Sequence, residues 1–125
     1  MDVTPLVPEG LQIIESYGSG GFRVSGKHYS GNTLVLPDRS LAWTPGDIAA
    51  LSLADFAVVT AEGSAIEVLL VGCGTAMVFI DPDLREALRA RGPALEPMDT
   101  GAACRTYNVL AAEGRPVAAA LIAVD

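Results

Sequence analysis

The second half of the chain alternates between short continuous apolar runs and stretches of helical spacing. Continuous apolar runs bounded by turn residues are typical of strands that are buried on both faces of a sheet. These runs predict three strands, which are Ile66–Gly72, Ala94–Met98 and Arg115–Val124. The stretches between them predict helices, so the pattern indicates an α/β domain with a mainly parallel sheet.

Capping residues mark the two helices between these strands. Asp81 followed by Pro82 predicts a helix start, and Gly92 followed by Pro93 predicts its end. Thr100 is predicted to cap a further helix over Gly101–Glu113, with its hydroxyl accepting from a backbone N–H one turn on.

An earlier helix is predicted from Ser52 to Gly63. Ser52 and Asp55 have the spacing of a capping box, with Asp in place of Glu or Gln. Val58-Val59-Thr60 is β-branched, so a strand is the alternative at this segment.

Strands and tight turns are predicted for the first third of the chain. Leu11–Ile14, Phe22–Val24 and Thr33–Leu36 are strand-like, and glycine-containing turns at Tyr17–Gly21 and Ser25-Gly26 separate them. We interpret this region as a β-meander. Trp43, which follows it, is expected in the core, and an exposed aromatic binding residue is the alternative.

Length and composition limit the classes of protein. The 125 residues predict a single domain over 1–125, and 50% apolar residues with a mean hydropathy of +0.39 agree with a well-buried sheet. The net charge is −7 with scattered Lys and Arg, so no nucleic-acid-binding face is expected.

The longest apolar run, Val117–Val124, is too short to span a bilayer, so no membrane insertion is expected. The start Met1–Pro5 lacks a basic and apolar signal pattern, which predicts a cytoplasmic protein.

Few residues of the sequence are candidates for metal binding or catalysis. Cys73, Cys104 and the single histidine His28 lack metal-ligand spacing, so no metal or cofactor is expected and both cysteines are predicted to be free thiols. Cys104 lies in the first turn of a predicted helix, where the helix dipole can activate a thiol, but no base is visible nearby. No catalytic residue is therefore assigned.

Two loops are predicted to meet at one edge of the sheet. Each follows the carboxyl end of a parallel strand, which is the usual ligand side of an open α/β sheet. A helix N-terminus and one arginine could bind a small anion there. The candidate ligand-binding residues are Gly72, Gly74, Thr75, Asp99, Thr100 and Arg105. In the alternative interpretation, Thr100 caps the helix, Gly101 turns the chain and Asp99 favours the helix dipole.

Several motifs occur together and in order. They are Tyr17-Gly-Ser-Gly-Gly-Phe-Arg-Val24, Leu34-Val-Leu-Pro-Asp38, Trp43, Glu67-Val-Leu-Leu-Val-Gly-Cys-Gly74, Met98-Asp-Thr-Gly-Ala-Ala-Cys-Arg-Thr-Tyr-Asn-Val-Leu110 and Glu113-Gly-Arg115. With this set the chain resembles the small domain family that includes the mitochondrial NADH dehydrogenase (respiratory complex I) assembly factor 3, and it looks like a bacterial member.

The resemblance implies a three-layer α/β fold, in which a mixed, mainly parallel central sheet is flanked by helices and an N-terminal β layer is added. It also implies a protein partner, and it implies no catalytic residue. Cys73 stands where Thr is the more usual residue of the family.

Two functions therefore compete. The first is a non-enzymatic protein-binding or assembly factor, by resemblance for respiratory complex I. The second is a small-molecule or anion-binding protein, or an enzyme not yet characterised, that uses the two loops. The sequence does not identify the partner or the oligomeric state.

Overall fold

The protein is described by a computed structural model over residues 11–125. Met1–Pro5, on which the prediction of no export signal rests, lies outside this range. Within it the strands are β1 (Ile14–Gly18), β2 (Gly21–Val24), β3 (Lys27–Ser30), β4 (Thr33–Val35), β5 (Ser40–Ala42), β6 (Val68–Gly72), β7 (Ala94–Met98) and β8 (Val117–Leu121). The α-helices are α1 (Ala57–Thr60), α2 (Pro82–Arg91) and α3 (Thr100–Ala112), and 3-10 helices occupy Ile48–Ala50, Leu53–Phe56 and Gly63–Ala65.

A five-stranded mixed sheet in the order β5-β4-β8-β6-β7 forms the centre of the molecule. β6 pairs in parallel with β7 and β8, whereas β4 pairs antiparallel with β8 and β5. The predicted α/β class and mixed sheet are confirmed. β6 and β8 are shorter than predicted. Their ladder begins at Val68 and Val117, directly after Pro116, which has no N–H to donate, and it ends at Gly72 and Leu121.

Both faces of the central sheet are covered, so its strands bury alternate side chains on opposite sides. Leu69 and Val71 of β6 pack towards α2 and the short helices, while Leu70 between them packs towards α3. The second face is also covered by a separate three-stranded antiparallel sheet, β1-β2-β3. This sheet is the added N-terminal β layer that the family resemblance implied.

Two hairpins build the small sheet, as the meander prediction required. Ser19 and Gly20 have φ of +53° and +77°, and Ser25 and Gly26 have φ of +46° and +83°. Two consecutive positive φ angles suit two-residue turns that preserve the right-handed twist of the strands. The predicted strand at Leu11–Ile14 is wrong in position, because β1 begins at Ile14 and continues to Gly18.

The third strand assigned to the meander is also corrected. β4 leaves the small sheet and pairs with β8 in the central sheet. All three residues of β4 are buried, which requires cover on both faces, and only the central sheet provides it.

β1 lies at an edge of the small sheet, where a side chain of α3 takes the place of a neighbouring strand. Asn108 Oδ1 accepts from Ile14 N at 2.9 Å, and Asn108 Nδ2 donates to Ile14 O at 2.7 Å. The amide thus satisfies both backbone groups of Ile14 and ties the small sheet to α3.

The helix predicted from Ser52 to Gly63 is present but broken into a 3-10 helix and one turn of α1. Asp55 accepts from Ser52 N at 2.8 Å, as the capping pattern predicted, and the strand alternative is wrong. Trp43, which is buried, donates its indole N–H to Asp55 O at 2.8 Å. This contact uses a carbonyl that a regular helix would need, and the β-branched residues that follow weaken the helix further.

Among residues 11–125, no helix combines the length and apolar character needed to cross a membrane.

Candidate functional site

The two loops of the predicted ligand site lie side by side, as expected for adjacent parallel strands. The last residues of β6 and β7, Gly72 and Met98, are register partners. Beyond them Cys73 N donates to Met98 O at 2.8 Å. The loop after β6 and the start of α3 therefore meet at the carboxyl edge of the sheet.

Asp99, and not Thr100, is the N-cap of α3, so this prediction was wrong. Asp99 has extended φ and ψ, and its carboxylate accepts from Ala102 N at 2.9 Å. The hydroxyl of Thr100 is used elsewhere: it donates to Ile122 O at 2.7 Å and accepts from Gly74 N at 2.9 Å. Thr100 is fully buried, and it links α3 to the chain segments that follow β6 and β8.

Gly72 is explained by this close packing. A Cβ atom added at Gly72 would lie 3.0 Å from Thr100 Cα and 3.0 Å from Leu121 Cδ2. Because a backbone atom is one of these neighbours, a larger residue would push α3 away from β6. Packing thus accounts for this glycine without a ligand.

Most backbone donors at the start of α3 already have acceptors inside the protein. Thr100 N donates to Gly74 O at 2.8 Å, and Asp99 accepts from both Ala102 N and Ala103 N. A Cβ atom at Gly101 would lie 2.6 Å from Tyr17 Oη, so this phenol covers the helix start. The anion-binding role of Gly72, Gly74, Thr75, Asp99 and Thr100 stays a prediction, and the internal bonds would compete with it.

Arg105 lies in the second turn of α3 and is exposed. Its guanidinium donates to Tyr17 Oη at 3.3 Å. Both residues line a groove of about 350 Å³ between β1 and α3, whose other walls are Ile14, Glu15, Ser16, Cys104 and Asn108. Of the six candidate ligand-binding residues, Arg105 lines this groove and the other five do not. A joint role of these six residues in binding an anion stays a prediction.

Cys104 is poorly suited to act as a nucleophile. Its side chain is buried on the inner face of α3, and burial raises the pKa of the thiol to about 12, although the charge of Arg105 opposes the shift. The thiol is therefore protonated at neutral pH, and a protonated thiol is a weak nucleophile because the thiolate is the reactive form. Cys73 is also buried, and the two cysteines are free thiols in the structure.

A groove that the sequence did not predict lies on the opposite face of the central sheet. Its volume is about 380 Å³, and it is lined by Ile48, Ala49, Ala50, Leu51, Phe79, Ile80, Asp81 and Leu84. Phe79 is 76% exposed, and Met77 in the same loop is 63% exposed. The available signal was the apolar run Ala76–Ile80, which belongs to no predicted element and directly precedes the cap Asp81.

In the described range 11–125, no group of His, Cys, Asp and Glu side chains has an arrangement that could hold a metal ion.

Comparison with known proteins gives one family. Residues 14–122 match the family model described as "Protein of unknown function (DUF498/DUF598)". The NADH dehydrogenase [ubiquinone] 1 alpha subcomplex assembly factor 3 of Xenopus tropicalis is 37% identical over 112 residues, which are 90% of this chain and 61% of that protein. An uncharacterized protein of Rhodobacter capsulatus is 37% identical over 113 residues, which are 90% of this chain and 86% of that protein.

Solved structures share the fold. A Bartonella henselae protein described as an outer membrane protein superposes with a TM-score of 0.84 at 36% identity, covering 93% of this chain and 98% of its own. A Bordetella pertussis protein described as an Mth938-like domain has a TM-score of 0.78 at 28% identity, covering 98% of this chain and 92% of its own. The resemblance and the fold inferred from the sequence are confirmed.

Proposed function

The chain belongs to the DUF498/DUF598 family, and from this membership we propose that it is a non-enzymatic protein-binding factor that assists assembly of NADH dehydrogenase. The observation that carries the proposal is the 37% identity with an assembly factor over 90% of the chain. The chain spans 61% of that relative's length. The role in assembling NADH dehydrogenase is therefore proposed for the domain that the two proteins share.

The chemistry of the described residues favours a surface role over catalysis. Cys104 is buried with a raised pKa, and the histidine His28 is exposed on β3 and does not line the groove that Cys104 lines. A nucleophile needs an adjacent base within hydrogen-bond reach. In our proposal the activity therefore depends on an exposed surface and on the fold beneath it.

Deletion of the gene in its native host tests this function. We expect less assembled NADH dehydrogenase on native gels, with other respiratory complexes unchanged as the internal control. Wild-type protein and Cys104→Ala should both restore the complex, because the thiol has no chemical role. Normal amounts of assembled enzyme in the deletion strain would refute the assembly role.

We place the protein in the cytoplasm, and two buried free thiols agree with a reducing compartment. Cell fractionation tests the location against an outer-membrane fraction, the compartment that the description of the Bartonella henselae relative suggests for that protein. Recovery in the outer-membrane fraction would overturn this placement.

The groove beside Arg105 favours a second candidate function, the binding of a small anion. Arg105 is exposed, and the groove volume of about 350 Å³ lies within the range of small-molecule sites. Phosphate or a small carboxylate should then raise the melting temperature of the wild type but not of Arg105→Ala. Equal shifts in both proteins, or none, would remove this candidate.

A further inference from the structure

We propose that the groove beside Phe79 docks an amphipathic segment of a partner protein. The apolar face of that segment packs on Phe79 and Met77, which are exposed, and is bordered by Lys or Arg. The inference rests on the proposed protein-binding function and assigns that function to a surface. We call this surface the Phe79 groove; it comprises the residues lining the 380 Å³ groove together with the neighbouring Met77.

The loop after β6 exposes apolar side chains next to a residue that is fixed in the core. Phe79 is 76% exposed, although the next residue, Ile80, is buried in the core. Asp81 then caps α2 by accepting from Asp83 N at 2.9 Å. The backbone on the carboxyl side of Phe79 is therefore tethered, and the ring stands at the rim of the groove. Two large apolar side chains exposed in one loop, Met77 and Phe79, offer an anchor for a partner.

The charges around the groove select the chemistry of the occupant. Between Arg39 and Arg85 the sequence has no Lys or Arg, and its carboxylates there are Asp47, Asp55, Glu62, Glu67, Asp81 and Asp83. Asp81 lines the groove, Asp47 directly precedes the lining residue Ile48, and Asp83 directly precedes the lining residue Leu84. None of these three exposed carboxylates belongs to the ion pairs found in residues 11–125. A basic rim on the partner would complement them.

This charge pattern disfavours the other occupants. A symmetric contact with a second copy would place the same acidic patch on both sides of the interface, and like charges there oppose association. An anionic membrane surface would be repelled for the same reason. A basic amphipathic helix fits both properties, because its apolar side chains can pack on Phe79 and Met77 while its Lys and Arg meet the carboxylates.

Fluorescence anisotropy with synthetic peptides tests the proposal on the full chain. One probe is a Leu-Lys amphipathic helix of about 18 residues, or five turns, and the second keeps every Leu but replaces Lys with Glu. We expect saturable binding of the basic peptide, weakening strongly at about 0.5 M salt because the charges are screened. Equal binding of the acidic peptide would overturn the charge argument.

Matched variants separate the groove from general attraction to an acidic protein. Phe79→Ser should weaken the basic peptide at least about tenfold, or 1.4 kcal/mol. Val109→Ser, which alters an apolar residue that is 57% exposed on α3, should not weaken it.

Asn caps helices as well as Asp does, so Asp47→Asn combined with Asp81→Asn removes charge without removing caps. This pair should weaken binding more than Glu96→Gln combined with Glu113→Gln, exposed residues of β7 and the end of α3. The groove would be refuted as the site if Phe79→Ser weakened binding no more than Val109→Ser does. It would also be refuted if the two double variants weakened binding equally.

The other occupants have their own readouts. Sedimentation that shows a dimer dissolved by Phe79→Ser would identify a second copy as the occupant, and Phe79-dependent binding to phosphatidylserine vesicles would identify a membrane; either result overturns the proposal. Expression of Phe79→Ser in the deletion strain then separates the two hypotheses. If gene deletion lowers assembled NADH dehydrogenase but Phe79→Ser restores it, the groove fails while the function stands. If peptides bind through Phe79 but deletion changes nothing, the groove stands while the function fails.

Discussion

Replacing Thr100 with valine should lower the free energy of unfolding by about 2 to 6 kcal/mol, because two backbone groups lose their partner. The substitution preserves the shape of a fully buried side chain but removes the hydroxyl that joins Gly74 N and Ile122 O. Each partly buried group left without a partner costs about 1 to 3 kcal/mol. Since a domain is typically stable by only about 5 to 15 kcal/mol, the loss should be visible as a clear shift of the urea midpoint.

Two further substitutions sharpen this measurement. Thr100→Ser keeps the hydroxyl and should cost only about 1 kcal/mol for the lost methyl group. Thr106→Val makes the same exchange on the same helix, at a hydroxyl for which residues 11–125 provide no hydrogen-bond partner, and should be nearly neutral. If Thr100→Val unfolds at the same urea concentration as Thr106→Val, the hydroxyl does not hold the two loops together and our account of this edge is wrong.

Three other substitutions test neighbouring parts of the fold. Asn108→Ala should cost about 2 to 4 kcal/mol in urea unfolding, because both backbone groups of Ile14 lose their partners; a neutral result would show that water replaces the amide. Gly72→Ala should cost about 1 to 3 kcal/mol, since the new Cβ crowds Thr100 Cα, and an unchanged melting temperature would contradict this packing. In the folded protein the pKa of Cys104 is raised to about 12 from the 9.0 of an unperturbed thiol. The contribution of this thiol to folding stability is therefore complete below pH 9 and is lost as the pH rises towards 12. The stability of the wild type should therefore fall more steeply above pH 9 than that of Cys104→Ala, and parallel curves would show that the thiol titrates normally.

Sequence reasoning succeeded where the structure is determined by neighbouring residues. The strand Ala94–Met98 has its predicted bounds, and Asp81 followed by Pro82 begins α2 as predicted. In each case the signal lies within a few residues: a short apolar segment between turns, or a carboxylate before a proline. The meeting of the two loops also followed, because parallel strands place their carboxyl ends at one edge.

It failed where contacts distant in sequence decide between equal local options. Asp99 and Thr100 are adjacent, and both residue types cap helices well. Which of the two caps α3 depends on Ile122 O, which lies 22 residues away and accepts a hydrogen bond from the hydroxyl of Thr100. The contact between Arg105 and Tyr17, which lie 88 residues apart, is equally invisible to local patterns. No pattern in the sequence reports such partners.

The exposure of Phe79 shows a different limit. An apolar run between a strand and a helix cap is expected to be buried, since most large apolar residues lie inside proteins. Whether a ring points to the core or to the solvent depends on the space left by the layers above the sheet. The most informative feature for a binding role was therefore visible only in three dimensions.

The position of β8 has a consequence for how the protein emerges during synthesis. β8 lies in the middle of the central sheet, between β4 and β6, yet it follows both of them in the chain. Until residues 117–121 have left the ribosome, the β4–β5 hairpin and the β6–α2–β7 unit have no strand to join them, and each keeps an open edge that can pair with other chains. Nascent chains arrested before Val117 should therefore remain sensitive to protease, and protection should arise in one step when Leu121 emerges.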